Sequence, residues 1–303
     1  MKIVCFLEIS LFDVCSGFGR VYETKLGQLK MCILFLHVDP NPPEGHYRLI
    51  VATNRDEYYK RPSRNAFTDE SNIIGGVDLE KGREGGRWLG FTSKEIGESK
   101  KHCLSALLNI TGELTDNPSG RGTIVNNYLE TSQDFPQYVK QLGKKKFNGF
   151  NLIAVELSET DVKTYHYSNT PKIESIYSGK HTVGFGNSPT YIPLQKVIAG
   201  RNQFIEILDK NLSKDCLEKE LIDLLKNTDK HLPDLELQKR QPVLFESLSS
   251  IFVRTDPPVY GTRTHTIVLI DYNWNLEFIE HTMKDPIDNF KPIWINTRIE
   301  SKL

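Results

Sequence analysis

Short apolar runs separated by polar turns mark the chain near both of its ends, and this pattern predicts β-strands there. The runs MCILFL (31–36) and YRLIVAT (47–53) flank the proline-rich segment DPNPPEG (39–45), an arrangement typical of a β-hairpin. Further strands are predicted within residues 72–78, 81–92, 103–111, 148–157, 162–168, 181–189, 247–255, 266–271 and 276–282.

A different periodicity occupies the middle of the chain. Within residues 123–142 apolar side chains recur at intervals of three and four, and Pro136 divides the segment into two helices. Residues 191–227 are predicted to be largely helical with a break at 211–214. Strands joined by short turns, with helices clustered between them, predict an α+β fold whose mostly antiparallel sheets are covered by helices.

Composition adds limits on partners and compartment. Hydrophobic residues make up 38% of the 303 residues and charged residues 25%, which is typical of a folded domain with a sizeable core. The formal net charge of −1 favours neither nucleic acid nor an anionic membrane as a partner. No apolar run approaches the roughly 20 residues of a transmembrane helix. The five scattered cysteines indicate a reducing, cytoplasmic setting rather than a disulfide framework.

The first thirty residues are interpreted as an appended arm. Glu8 and Asp13 interrupt what would be the apolar region of a signal peptide. Met31 and Cys32 together would make a plausible alternative start of translation. With no linker, repeat or low-complexity block elsewhere, a single domain is predicted.

Cys32 is the first candidate for chemistry. A thiol becomes nucleophilic as a thiolate, and the α-amine of an N-terminal cysteine, with a reference pKa near 8, can act as its base. If Met31 were removed, Asp56 would orient that amine and Asn109 or Asn187 would donate to an oxyanion. The alternative is that Cys32 is a small buried hydrophobe at the start of a strand.

Two further sets of polar residues leave alternatives open. The segment from Asn54 to Glu57 follows a buried-looking run directly, and it is either the functional end of a strand or a solvated loop. Four histidines, His37, His166, His265 and His281, lie in strand-like runs where a hydrogen-bonded, half-buried imidazole is expected. There is no CxxCH motif, so any haem would be held non-covalently.

Several motifs occur together and in order. They are MCILFLHVDP, ATNRDEYYKRPS, GGVDLEKGREGGRWLG, GRG at 120–122, FNGFNLIAV and YGTRTHTIVLID. Through these motifs the chain resembles the Transport and Golgi organisation 2 family, also called the NRDE family, over essentially residues 31–290. The resemblance leaves residues 1–31 as an N-terminal extension and residues 32–303 as a single domain.

That resemblance implies a four-layer α-β-β-α sandwich like that of the N-terminal-nucleophile (Ntn) hydrolases. It also implies a haem chaperone similar to nematode haem-export paralogues, which would move haem from mitochondria or lysosome-related stores to apo-haemoprotein acceptors. Haem would be the transported ligand, with no other cofactor. Golgi organisation, secretion and lipid metabolism have also been attributed to the family, so the expected location is the cytoplasm, in association with mitochondria, lysosome-related organelles or the Golgi. The oligomeric state is not predicted.

A wider similarity, to choloylglycine hydrolases and related acyltransferases, implies a catalytic set. Its members here would be Cys32, Asn54, Asp56, Asn109 and Asn187. Thr53 stands where those enzymes carry an arginine, and residues 1–31 block the amine of Cys32, so the set is incomplete. A cysteine amidohydrolase or acyltransferase acting on a small amide or thioester is therefore the alternative to a non-enzymatic carrier.

For a haem carrier the resemblance leads to a predicted ligand site. Cations would bind the propionates, aromatic rings would line a slot, and Cys32 or a histidine would be the axial ligand. The residues predicted for this site are Arg55, Glu57, Arg61, Trp88 and Arg263, with Phe91 and Phe150 as further walls of the slot.

Overall fold

Two antiparallel sheets form the centre of the protein. The computed structural model describes residue 29 and residues 31–96 and 99–303, so the predicted N-terminal arm lies outside the described residues except for Leu29 and Met31. The strands of this part are β1 (Cys32–Val38), β2 (Tyr47–Tyr58), β3 (Ser63–Thr68), β4 (Ile74–Asp78), β5 (Leu89–Ile96), β6 (Ser99–Asn109), β7 (Phe150–Leu157), β8 (Val162–Asn169), β9 (Lys172–Ser178), β10 (His181–Phe185), β11 (Tyr260–Asp271), β12 (Asn275–Met283) and β13 (Trp294–Lys302). The helices are α1 (Ile124–Glu130), α2 (Phe135–Leu142), α3 (Gln195–Asp209), α4 (Lys214–Leu225), α5 (Leu235–Arg240) and α6 (Phe245–Leu248).

The strand order places distant parts of the chain side by side. The six-stranded sheet runs β10-β1-β2-β11-β12-β13 and the seven-stranded sheet runs β3-β4-β5-β6-β7-β8-β9. Strands β1 and β2 form an antiparallel hairpin in which Cys32 faces Arg55 and Val38 faces Leu49. Strand β2 is central, since β1 pairs with one of its edges and β11 with the other.

Three apolar cores separate four layers. Side chains of β1, β2 and β11 pack against α3 and α4 in one core, and Phe35 stacks on Phe204 there at 5.9 Å between ring centroids. A second core lies between the sheets, and a third joins α1 and α2 to β6 and β7. The predicted α+β fold with antiparallel sheets covered by helices is confirmed. No helix within the described residues is long and apolar enough to cross a membrane.

The polar segment from Asn54 to Glu57 belongs to strand β2. All four side chains are buried, and the ladder to β11 continues past them to Tyr58. The alternative of a solvated loop is therefore wrong. Buried polar side chains persist in a strand only when partners satisfy them, and β11 provides such partners for Asn54 and Asp56.

Several elements of the fold differ from those predicted from the sequence. Residues 247–255 were predicted as a strand but form the end of α6 and an irregular segment, with only an isolated bridge from Arg254 to Gly261. Strands β3, β9 and β13 and helices α5 and α6 were not predicted. The predicted breaks of the helical regions, near Pro136 and at 211–214, agree with the observed ends of α1, α2, α3 and α4.

Gly261 marks the point where this irregular segment crosses β11. A Cβ atom at this position would lie 2.2 Å from the carbonyl oxygen of Val253 and 2.9 Å from the hydroxyl of Tyr59. The Thr262 hydroxyl accepts a hydrogen bond from the Val253 nitrogen at 2.9 Å, so the segment cannot move away without losing that contact.

We therefore expect Gly261→Ala to lower the free energy of unfolding by about 1–3 kcal/mol, the usual cost of overpacking. Denaturant unfolding measures the change. Gly120→Ala is the matched control, because an added methyl there meets no atom within 4 Å. Equal stability of the two variants would contradict the expectation.

Candidate functional site

A cavity of about 580 Å³ lies beside the ends of β1 and β2. One wall carries Cys32 and residues 55–57, and the opposite walls are loop 82–88 and loop 118–123. The two loops touch, since the nitrogen of Arg87 donates to the carbonyl of Gly122 at 3.1 Å. The volume falls within the ~300–1,000 Å³ of pockets that hold small ligands.

The two-residue period of β2 divides the NRDE tetrapeptide between two faces. Arg55 is the register partner of Cys32, so the two side chains share the face that lines the cavity. Asn54 points to the opposite face, where its Nδ2 donates to the carbonyls of Leu225 and Ile251. Asn54 thus connects β2 to the segments that carry these two carbonyls, and it does not line the cavity.

The backbone of Cys32 is held by an asparagine bridge. Its nitrogen donates to Asn187 Oδ1 at 2.5 Å, and Asn187 Nδ2 donates to the carbonyl of Asn109 at 2.7 Å. Asn151 fixes the bridging loop by donating to the carbonyls of Gly186 and Ser188. Of the two predicted oxyanion asparagines, Asn187 therefore contacts Cys32 directly, while Asn109 is linked to it through Asn187 and also lines the cavity.

The thiol of Cys32 is poorly activated in this environment. Burial and, to a smaller extent, the charge of Asp56 raise its pKa to about 12, against smaller opposing effects of the Asp56 backbone and of Arg55. A thiol with such a pKa is almost wholly protonated at neutral pH, and the thiolate is the nucleophilic form.

Asp56 belongs to a buried polar group behind the cavity. Its Oδ1 accepts a hydrogen bond from the Thr262 hydroxyl at 2.7 Å, while Oδ2 has no partner in the described part of the chain. Burial raises the pKa of Asp56 to about 7, and the charge of Lys196 on α3 opposes this most strongly. Lys196 is fully buried and donates to the Ser250 carbonyl at 3.2 Å.

Two of the arginines at the cavity are neutralised by carboxylates. Arg61 binds both oxygens of Asp78 and donates to Glu57 Oε2 at 3.0 Å. Arg87 donates to Asp69 Oδ2 at 2.6 Å. Their charges are thus balanced within the protein.

Arg263 lies outside the cavity, in contrast to its predicted place at the mouth. Its Nη2 donates hydrogen bonds to both carboxylate oxygens of Asp285, at 2.9 and 3.1 Å, and its Nη1 donates to the backbone carbonyl of Arg61. Its role in this geometry is to hold the turn that carries Arg61.

Arg55 and Arg121 form no ion pair with a carboxylate in the described part of the chain. Arg55 is only 6% exposed, its guanidinium lies 4.2 Å from the centroid of the Trp88 ring, and its Nη1 has no hydrogen-bond partner there. Arg121 donates to the Gly149 carbonyl at 2.6 Å. Burial and the charge of Arg83 lower the pKa of Arg121 to about 10. These two arginines make the cavity attractive to anions.

The structure gathers some predicted residues and separates others. Cys32, Asp56, Asn109, Arg55, Glu57, Arg61 and Trp88 all line the cavity. Phe91 lies in the core between the sheets and Phe150 in the core under α1 and α2, so neither forms a slot. No sequence-based prediction named Arg121, Arg83, Arg87 or Lys196. The GRG motif at 120–122 was the available signal for Arg121, and Lys196 had none.

Comparison with known proteins places the chain in a family. The family described as Transport and Golgi organisation 2 matches residues 31–285. The chain belongs to this family. It is 36% identical to Transport and Golgi organization protein 2 of Drosophila melanogaster, over 89% of this chain and 98% of that protein. It is 37% identical to the Homo sapiens homolog of that protein, over 84% of this chain and 94% of the homolog. The family resemblance seen in the ordered motifs is thereby confirmed.

The raised pKa of Cys32 leads to a test in which each thiol is followed separately. At pH 8 we expect iodoacetamide to modify the exposed Cys216 more than about tenfold faster than Cys32, because few Cys32 side chains are then ionised. The rate at Cys32 should still be rising at pH 10. Peptide mass spectrometry measures both rates. A rate at Cys32 that levels off below pH 8 would contradict the burial argument.

Proposed function

We propose that this protein is a haem carrier, which takes up haem in the cavity beside Cys32 and passes it to apo-haemoproteins. It would act in the cytoplasm, next to mitochondria, lysosome-related stores or the Golgi. The observation that carries the proposal is one cavity lined by a thiol, an indole ring and three arginines, Arg55, Arg83 and Arg121, that form no ion pair within the described residues. The names of the relatives add only transport and Golgi organisation.

The propionates are the groups that the arginines would bind. Haem combines an apolar ring with two carboxylates, and guanidinium groups bind carboxylates through paired hydrogen bonds. Arg61 and Arg87 are already engaged with carboxylates of the protein, which leaves Arg55, Arg121 and the exposed Arg83 for the ligand. Trp88 and Leu107 offer apolar surface in the same cavity.

Cys32 is the candidate axial ligand. Among the described residues, no histidine, methionine or tyrosine lines the cavity, whereas Cys32 does. Binding iron through a thiolate requires loss of the thiol proton, and burial opposes that loss. The resulting ligand would be weak, which suits a carrier that must release its cargo.

Haemin and its dimethyl ester separate the contribution of the propionates from that of the ring. Arg121→Gln should weaken haemin binding about tenfold to a hundredfold, corresponding to the ~1.5–3 kcal/mol of a charged hydrogen bond, and should leave binding of the ester unchanged. Glutamine retains a donor for the Gly149 carbonyl. Absorbance titration in the Soret region measures both affinities, and exposed Arg201→Gln is the control.

Two results would count against this assignment in different ways. Equal losses for haemin and ester, or no loss, would show that Arg121 does not bind the propionates. A wild-type protein that neither binds haemin saturably nor speeds its transfer to apomyoglobin would contradict the carrier function itself.

A thiol-dependent amidohydrolase or acyltransferase is the second candidate, since Asp56 and both asparagines surround Cys32. This mechanism needs the free amine of Cys32, whereas the Met31–Cys32 peptide blocks it in the chain with residues 1–31 attached. The buried Met31 nitrogen donates to the Tyr260 hydroxyl at 2.7 Å.

If the protein is a carrier only, intact-mass analysis of the native protein should show that the peptide bond between Met31 and Cys32 is intact. Cys32→Ala should then leave any hydrolysis of amide or thioester substrates at background level. A native chain that begins at Cys32, with turnover abolished by Cys32→Ala in a folded protein, would instead support the enzyme.

A further inference from the structure

A row of polar side chains crosses the outer face of the six-stranded sheet, away from the cavity. The register places Asn54 opposite His265, His265 opposite His281, and His281 opposite Asn296. Directly opposed residues of antiparallel strands share a face, with Cβ atoms about 4.5–5.5 Å apart. Two imidazoles are therefore neighbours on this face, and the proposed haem function uses neither.

The hydrogen bonds of Asn54 fix the tautomer of His265. Asn54 Nδ2 donates to the carbonyls of Leu225 at 2.8 Å and Ile251 at 3.0 Å, so Oδ1 is the free acceptor. His265 Nδ1 lies 2.7 Å from that oxygen and must carry the proton. A neutral imidazole has one N–H, and Nε2 of His265 is consequently a bare lone pair.

Both Nε2 atoms lack a partner. Nε2 of His265 and Nε2 of His281 are buried and form no hydrogen bond in the described part of the chain, and His265 is 0% exposed. A buried acceptor without a donor costs free energy and is uncommon in native proteins. Two such nitrogens at facing positions are the donor set that zinc or copper takes from neutral imidazoles.

The residues around the two imidazoles favour the orientation and the neutral form in which histidine binds a metal. The Trp294 ring stacks on His265 at 4.8 Å between centroids and 11° between planes, which fixes the imidazole plane. Burial lowers the pKa of His265 to about 3 and also lowers the pKa of His281, so both rings are neutral at pH 7. Asn54 supplies the outer hydrogen bond that metal-binding histidines usually make.

Charged groups near His265 and His281 affect the binding of a cation in opposite ways. Lys226, after α4, lowers the pKa of both histidines and would oppose a cation. Arg298 acts on His281 in the same sense, while Glu218 acts in the opposite sense and also binds Arg298. Lys226 is exposed, so solvent screens its charge.

We propose that His265 and His281 bind a divalent transition-metal ion of the zinc and copper class through their Nε2 atoms. Exposure increases along the row from His265 through His281 to Asn296, so the ion would enter from the Asn296 side. No cluster of three or more His, Cys, Asp or Glu side chains in the described residues is placed for a metal. Water and the Asn296 amide oxygen would therefore fill the remaining positions.

Copper is the probe of choice, because it binds nitrogen sites most tightly among the divalent ions of its row and quenches nearby indoles. The full chain, freed of metal with a chelator, is titrated with copper(II) chloride in a non-coordinating buffer. We expect saturable quenching at one equivalent, and loss of that quenching in Trp294→Phe without loss of binding. Electron paramagnetic resonance should show two nitrogen ligands.

His281→Gln is the decisive variant, because this residue is partly exposed and its replacement leaves the Asn54–His265 hydrogen bond intact. We expect it to weaken copper binding at least about tenfold, since even loss of an outer partner costs 10–100-fold. His46→Gln removes an exposed histidine with both ring nitrogens in hydrogen bonds and should change nothing. Unchanged affinity in a folded His281→Gln protein, or no binding by the wild type at one equivalent, would overturn the proposal.

Discussion

The alternation of side chains along β2 is the constraint on which the site depends. This strand has partners on both edges, so its register is fixed by β1 on one side and by β11 on the other. A slip of one residue would exchange its faces. Arg55 and Glu57 would then enter the helix-covered core, and Asn54 would face the cavity. The apolar half of β2, packed between two cores, makes such a slip costly.

Two buried asparagines extend this order from the sheets to the loops. Asn151 donates Nδ2 to two carbonyls of the segment after β10, and Asn54 donates Nδ2 to the carbonyl that ends α4 and to that of Ile251. The Oδ1 of each asparagine meets a histidine nitrogen, that of His166 and His265 respectively. Each segment thus gains defined partners for backbone groups that no strand satisfies. One of these segments carries Asn187, so the position of Cys32 depends on a side chain of the other sheet.

Secondary structure could be predicted from the sequence where buried and exposed positions alternate sharply. The β1–β2 hairpin and the helices of residues 123–142 and 191–227 have strong apolar periods, and they were predicted. Strand β9 alternates exposed with half-buried residues at a sheet edge, so its apolar signal is weak. The segment 247–255 is apolar because it covers a core, yet side chains such as Thr262 satisfy its backbone instead of a neighbouring strand. Pairings that neutralise charge, such as Arg263 with Asp285, depend on tertiary contacts that no local pattern contains.

The charges around the cavity favour a ligand that is bound through anionic groups at the ligand's own periphery. Burial keeps the Cys32 thiol protonated, which weakens any bond to a metal, while Arg55 lies beside Trp88 and forms no ion pair with a carboxylate in the described part of the chain. An anionic ligand therefore gains more from the guanidinium groups than from the thiol. Binding through peripheral carboxylates leaves the reactive centre of such a ligand weakly attached. For the haem carrier proposed above, an acceptor with a stronger metal ligand would then remove the haem without first breaking a strong bond.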